Sequence, residues 1–462
     1  MASSVAGVSL ADVAKAPAGP PYAARPGVME FTGRLLAHAK SHDVAALAAA
    51  RLDLYKPQPI AEVDEFLITV PSGEDENSLG AKLLATDLFD WVRPDWQLFP
   101  AAIQVVPNDP IFDQQWHLPQ IHAPQAWNIN TGLPTAVIAV VDSGVDLTHP
   151  DLHNNLVPGY ASYFMSRQAQ TSTNDPICQD TNGHGTAVAG VAGAMGNNAE
   201  GVCGVGWNLR VMPIRATNAN GGTGASFADI QNGALWASTH GARIVNVSFT
   251  GVAEPGVEAL GATLRTRGVM LIWVMDDNTL DYGSTFDHPD VTVVSGTNQQ
   301  DQRYPLSSYG QGVDIAAPAV LIATTALGGF YNTWDGNSMA GPIVAGAAAC
   351  VWGMAPWLTP AEVEKILFDS ADDIGPPGED PYFGVGRVNL QRAMWLTVVR
   401  QHCASREAVQ YNAGAFGIED LYAFTTQPLD VSGDGVIDDK DTQCLEGFLR
   451  SDEPKNMTIG RP

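Results

Sequence analysis

The sequence predicts an α/β protein: a parallel sheet flanked by helices, with a small α+β unit before it and a short helical, Asp-rich tail after it. Three observations carry this expectation. Buried-type apolar strands at 135–141, 242–248, 268–275 and 291–296 alternate with helical stretches, the pattern of a parallel sheet covered on both faces. The 46 glycines suit a turn-rich α/β enzyme better than a helical bundle. The 462-residue length, 45% apolar and 16% charged, describes a globular chain of two or three domains with a large core.

Taken in order, residues 1–27 are rich in Ala and Pro without periodicity and read as a flexible leader. They hold no basic stretch followed by an apolar block, so no secretory signal is expected. Residues 28–106 form the small unit, with strands at 28–37 and 65–70 and a turn at Pro71-Ser72-Gly73. A helix follows at 77–88, with Leu79, Leu83 and Leu84 on one face, then an edge-type strand at 91–99 interrupted by Pro94. The main domain covers 107–400. One of its helices has Ser226 as cap, Asp229 in the first turn and Gly241 past the end. Another opens on Thr359-Pro360-Ala361-Glu362, a capping box with Pro at the first position. The tail is 401–462. The net charge of -26 argues against nucleic acid as a partner and fits solubility, cation binding or both. No apolar run reaches the roughly 18 residues of a membrane span. Five cysteines stand far apart without zinc-ligand spacing, and the odd number leaves at least one free thiol if the others pair within the chain.

Three segments carry chemistry. AVIAVVDSGVDLTHPDL is an apolar strand delivering Asp142 at its carboxyl end. NGHGTAVA places His184 at the start of a small-residue helix, and DGNSMAGPIVAGAAA does the same for Ser338. A serine hydroxyl is a poor nucleophile until a base takes its proton, and imidazole titrates near neutrality. A carboxylate then holds the ring tautomer and stabilises the imidazolium. A lone Asp after a strand is usually a turn or cap residue, and a lone His is more often structural. Three such residues, each in a Gly-rich setting, point to nucleophilic catalysis. The absence of a GxSxG elbow and the order Asp, His, Ser disfavour a lipase or esterase.

These blocks resemble the subtilisin family of serine proteases over about residues 107–395. PNDPIFDQQWHLPQIHAPQAWNINTG before the first strand, the segment 247–251 and GVGRVN at 384–389 support the likeness. It implies a subtilisin-like three-layer fold and peptide-bond hydrolysis through an acyl-enzyme. Asp142, His184 and Ser338 would take the triad roles, and Ser248, Phe249 and Thr250 would lie along the edge that binds substrate backbone. It also implies protein or peptide substrates, a secreted location and a monomer. Asn337 replaces the usual Thr before the serine, Gly341 replaces the usual Ser three beyond it, and Met339 matches the family and predicts oxidant sensitivity.

One position departs where it matters. The family supplies an Asn amide to the oxyanion hole at the end of an apolar strand. In GVMLIWVMDDN that position falls on Asp277, after Asp276 in place of Gly. An ionised carboxylate cannot donate a hydrogen bond, and loss of the donor costs about 10²–10³ in turnover, a magnitude that belongs to subtilisin itself. Three arrangements are open: Asp277 protonated by burial or by Asp276 and donating, a proprotein convertase branch that also carries Asp here implying that activity need not be lost; the loop shifted so that Asn278 serves; or a weakened enzyme, a subtilisin-fold binding or assembly protein.

The unit 28–106 resembles the inhibitory propeptide of bacterial subtilisin-like proteases, so a self-processing zymogen cut within 97–106 is expected. GNNAEGV at 196–202 resembles the family's calcium loop, with Asp151 as carboxylate partner and Asn197 or Asn198 as side-chain ligand; a plain turn is the alternative. In the tail, DVSGDGVIDDKD sets Asp430, Ser432, Asp434, Asp438 and Asp441 at positions 1, 3, 5, 9 and 12 of an EF-hand-like calcium loop, with Gly435 at the sharp turn and the Val436 carbonyl at position 7. Asp at position 12 resembles dockerin modules, which implies a cohesin-like partner; a small calcium-stapled cap is the alternative.

Overall fold

The computed structural model describes residues 29–41, 58–60, 65–71, 75–98 and 105–403. The leader 1–27 and the calcium loop expected at 430–441 lie outside the described residues. The chain divides into two units, Met1–Ala102 and Ile103–Pro462. In the first, strands β1 (Met29–Ala39), β2 (Gln58–Ile60) and β3 (Glu65–Thr69) precede helix α1 (Glu76–Leu84) and strand β4 (Phe89–Leu98). The strands form an antiparallel sheet in the order β2-β3-β1-β4. Leu79 and Leu83 of α1 are buried with Leu35, Phe66, Ile68 and Val92. The helix stops short of the expected residue 88, because Asp87 turns into the left-handed region at φ 61°. Leu88 thereby leaves the helix and is buried in the same core. Pro94 sits opposite Leu35 on the edge strand β4, where its missing N–H interrupts no ladder on the outer side.

The second unit is built on a sheet of β5 (Val137–Asp142), β6 (Tyr160–Ala161), β7 (Gln168–Ala169), β8 (Arg210–Arg215), β9 (Ala242–Val247), β10 (Met270–Val274), β11 (Val291–Thr297) and β12 (Ile315–Pro318). Their order is β12-β11-β10-β9-β5-β8-β6-β7, and every pairing is parallel except β6 with β7. The main helices are α2 (His184–Gly193), α3 (Phe227–Ser238), α4 (Pro255–Thr266), α5 (Asn337–Met354), α6 (Pro360–Asp369) and α7 (Leu390–Cys403).

Side-chain alternation explains the layering. Ile138, Val140, Ile244 and Ile272 point to the core shared with α2, α5, α6 and α7. Their neighbours Ala139, Val141, Val245, Leu271 and Trp273 point to the core shared with α3 and α4. Both faces are dry, which is why the strands read as unbroken apolar runs, and each fully buried Val, Leu or Ile contributes about 1.5–3 kcal/mol. The caps form as the sequence predicts. Ser226 Oγ accepts from Asp229 N, and Thr359 and Glu362 make the reciprocal capping box. No helix among the described residues is long and apolar enough to cross a membrane.

Because β10, β9 and β5 are parallel neighbours, their carboxyl ends lie side by side. Asp142 ends β5, Ser248 follows β9, and Asp276-Asp277 follow β10. That edge is where an open parallel sheet exposes groups to a ligand.

Candidate active site

Asp142 is almost fully buried, and its Oδ1 accepts hydrogen bonds from His184 Nδ1 at 2.8 Å and from Ser143 N at 2.7 Å. Proton donation from Nδ1 leaves Nε2 as the basic nitrogen of the ring. The close approach depends on Gly185, where a Cβ would stand 2.1 Å from Gly144 O and 3.0 Å from Asp142 Cβ. Asp180 secures the start of α2 from below. It accepts from Ser143 Oγ, from the N–H groups of Asn182, Gly183 and Thr186, and from the Thr186 hydroxyl. The His184 ring lies near Phe249 and meets Trp334 edge to face, with centroids 6.5 and 5.9 Å away. Desolvation is the largest influence on this ring and opposes its charge. The Asp142 carboxylate, aided by Asp180 and Asp277, outweighs it, and the pKa is raised above the ordinary imidazole value.

Ser338 stands in the first turn of α5. Its Oγ donates to Ser248 O at 3.3 Å, while Ser248 Oγ donates to Ser338 O at 3.0 Å, latching the helix start to the end of β9. The Ser248 side chain is therefore buried beneath the site. Phe249 O accepts from Trp273 Nε1, and Thr250 is the exposed member of the expected substrate edge. Met339 is fully buried. Gly341 stands where a Cβ would meet Val274 Cγ1 at 2.6 Å and Asn246 Oδ1 at 2.9 Å, so the departure from Ser fits the packing.

Of the two residues weighed for the oxyanion position, Asp277 faces the turn that precedes Ser338. Its Oδ1 accepts from Asn337 N at 3.1 Å, whereas Asn278 Oδ1 accepts from Ser308 Oγ at 2.5 Å. Asp277 is exposed in the open site, yet the protein around it displaces enough water to matter. Desolvation, the largest influence, and the neighbouring Asp276 raise its pKa, against the Asn337 N–H and His184, which lower it. Asp276 is buried, its Oδ1 accepting from Gly251 N and its Oδ2 from the Tyr282 hydroxyl.

The loop at 196–202 brings together a donor set of hard oxygens. Asp151 accepts from Asn198 Nδ2 and Val202 N. Asp109, which the sequence reading did not single out, accepts from the N–H groups of Asn197 and Asn198. Desolvation raises the Asp109 pKa, two loop N–H groups oppose it, and the charge of Asp151 adds to the rise. Two buried carboxylates beside amide oxygens, with Asp151 disfavouring the charge of Asp109, fit a hard cation such as calcium in kind. Turning the Asn198 amide over would present Oδ1 rather than Nδ2 to the Asp151 side. Among the described residues, no three His, Cys, Asp or Glu side chains converge as a metal site. Cys178, Cys203 and Cys350 are buried free thiols.

The family model described as the subtilase family matches residues 134–386. The thermophilic serine proteinase of Bacillus sp. (strain AK1) is 32% identical over 318 residues, 66% of this chain and 73% of that protein. Thermitase of Thermoactinomyces vulgaris is 32% identical over 292 residues, 62% of this chain and 99% of that protein. Among solved structures, a protease from Pseudoalteromonas arctica is similar with a TM-score of 0.54 at 28% identity, covering 63% of this chain and 99% of that one. Fervidolysin from Fervidobacterium pennivorans, at 23% identity and a TM-score of 0.52 over 80% of this chain and 62% of that one, shares the fold. The family match alone spans more than half of the chain, and it contains all three candidate residues: this chain belongs to the subtilase family and is a serine endopeptidase.

Proposed function

We propose that Ser338 is the nucleophile, His184 the general base and Asp142 the group that orients it, with Asp277 serving the oxyanion hole as a neutral acid. The observation that carries this reading is the 2.8 Å hydrogen bond from His184 Nδ1 to Asp142 at the end of β5, the strand next to β9, to whose end Ser338 is latched. Ser338 Oγ leaves its resting contact with Ser248 O and bonds to the substrate carbonyl carbon as His184 Nε2 takes its proton. The carbonyl oxygen becomes an oxyanion, stabilised by the Ser338 N–H and the Asp277 carboxylic acid. Imidazolium then protonates the amide nitrogen, the C–N bond breaks, and water repeats the sequence to release the acid. Thr250 and the backbone of the segment after β9 receive the substrate strand. In the test, the parent and the Ser338→Ala and His184→Ala variants are assayed on an unfolded protein. The alanine variants should lose at least about 10³ of the parent's turnover; parent-like turnover in Ser338→Ala would sink the assignment.

The same reading assigns residues 28–106 as an inhibitory propeptide removed by the enzyme itself, and the protein as a secreted protease. Calcium is the structural ion. Asp109, Asp151 and the side-chain oxygen of Asn197 or Asn198 would hold it at the loop 196–202, where it would neutralise the paired carboxylates. The tail would bind a second ion through Asp430, Ser432, Asp434, Val436, Asp438 and Asp441 and dock to a cohesin-like partner. The sequence likenesses support these assignments, and the donor chemistry at Asp109 and Asp151 supports the first ion.

A further inference from the structure

We propose that Asn337 is a positioning residue that enables an acid, rather than an amide, to serve the oxyanion hole; this rests on the reading of Asp277 above. Asn337 is fully buried at the start of α5. Its side-chain Nδ2 donates to Met275 O at 2.9 Å and to Ser307 Oγ at 3.0 Å, with Asp276 O at 3.4 Å. Its backbone N–H donates to Asp277 Oδ1. One residue thus grips the turn 275–277 from inside by its carbonyls and from the active-site side by its carboxyl. The amide orientation is forced. Three acceptors surround Nδ2, and the reversed amide would set an oxygen against two carbonyls. Asn337 Oδ1 has no hydrogen-bond partner among the described residues, so its role is on the donor side.

This arrangement bears on the proton of Asp277. Each N–H aimed at a carboxyl group favours its ionised form. The Asn337 amide instead spends its donors on the carbonyls beyond β10, leaving Asp277 the single N–H of residue 337. With Oδ1 accepting that bond, Oδ2 remains to carry the proton. Oδ2 lies against Gly336, where a Cβ would come within 2.7 Å of it. Asp276 holds the other flank of the turn through Gly251 N and Tyr282, so the turn is fixed on both sides. The threonine usual in the family has one hydroxyl donor and cannot hold both carbonyls and Ser307. The pair Asn337 with Asp277 therefore works as a unit, alternative to the pair Thr with Asn.

The test measures kcat, KM and pH profile for Asn337→Thr and Asn337→Ser in the parent and in the Asp277→Asn background. A fluorophosphonate titration of reactive Ser338 normalises each rate to folded, competent sites. In the parent background, kcat per titrated site should fall at least tenfold with KM within about threefold. The limb of the pH profile set by Asp277 should move to lower pH, because a loosened turn admits water and favours the carboxylate. In the Asp277→Asn background the same changes should cost less than threefold, since an amide donates at any pH. Equal losses in both backgrounds, or an unmoved limb, would show Asn337 to be merely structural and overturn the proposal. A parent that takes up no probe at Ser338 would overturn both this inference and the reading beneath it.

Discussion

With the roles proposed above, hydrolysis at this site makes two opposed demands on protons. His184 must be neutral to act as base, and its raised pKa moves that condition above the ordinary imidazole value. Asp277 must be protonated to donate, and its proton is lost as pH rises, at a pKa that desolvation raises from the ordinary carboxyl value. The first condition is lost as pH falls and the second as pH rises, so a bell-shaped profile is expected. Asp277→Asn should remove one limb, leaving activity that rises through the His184 ionisation and then stays flat, and should raise kcat/KM by at least about tenfold. A variant no faster at any pH would show that Asp277 is not an impaired donor. The Asp277 substitution was legible in the sequence because a run of apolar strand residues can be counted to its end. Its consequence was not, since the partner that shapes it, Asn337, comes from 60 residues along the chain.

At the level of elements, the triad's geometry depends on two close approaches rather than on the triad residues alone. Gly185→Ala forces a methyl onto the Gly144 carbonyl, so it should destabilise the protein by about 1–3 kcal/mol. It should also cut turnover by displacing His184 from Asp142, an effect seen as activity loss in molecules that remain folded by circular dichroism. Thr359→Ala breaks the capping box of α6 far from the chemistry. It should cost about 1 kcal/mol in a denaturant melt while leaving kcat unchanged. Strand periodicity, caps, the strand-end position of Asp142 and the helix-start position of His184 could be read directly, because each is a local signal. What escaped was set by contacts distant in sequence. Asp109 reaches a loop 88 residues away, and the burial of the Ser248 side chain follows from its latch to Ser338, 90 residues on. The end of α1 escaped for a local reason, the left-handed turn at Asp87, which an Asp adopts without a glycine to announce it.

Across the whole molecule, a surplus of 26 negative charges leaves carboxylates in mutual repulsion, which a bound cation relieves. Chelation should lower the melting temperature by several degrees, about the shift that a loss of 1–2 kcal/mol produces in a domain of this size, and calcium should restore it. Asp109→Asn should blunt that response; an undiminished one would place the responsible ion elsewhere. The proposed self-processing should make the parent run smaller than Ser338→Ala on a denaturing gel, and equal sizes would exclude it. Each of these expectations presumes a reactive Ser338, and that is directly measurable. The processed protein is treated with a fluorophosphonate probe, digested and analysed by mass spectrometry. A single adduct on Ser338, absent from His184→Ala, is expected; an unlabelled Ser338 in folded protein would refute the catalytic assignment.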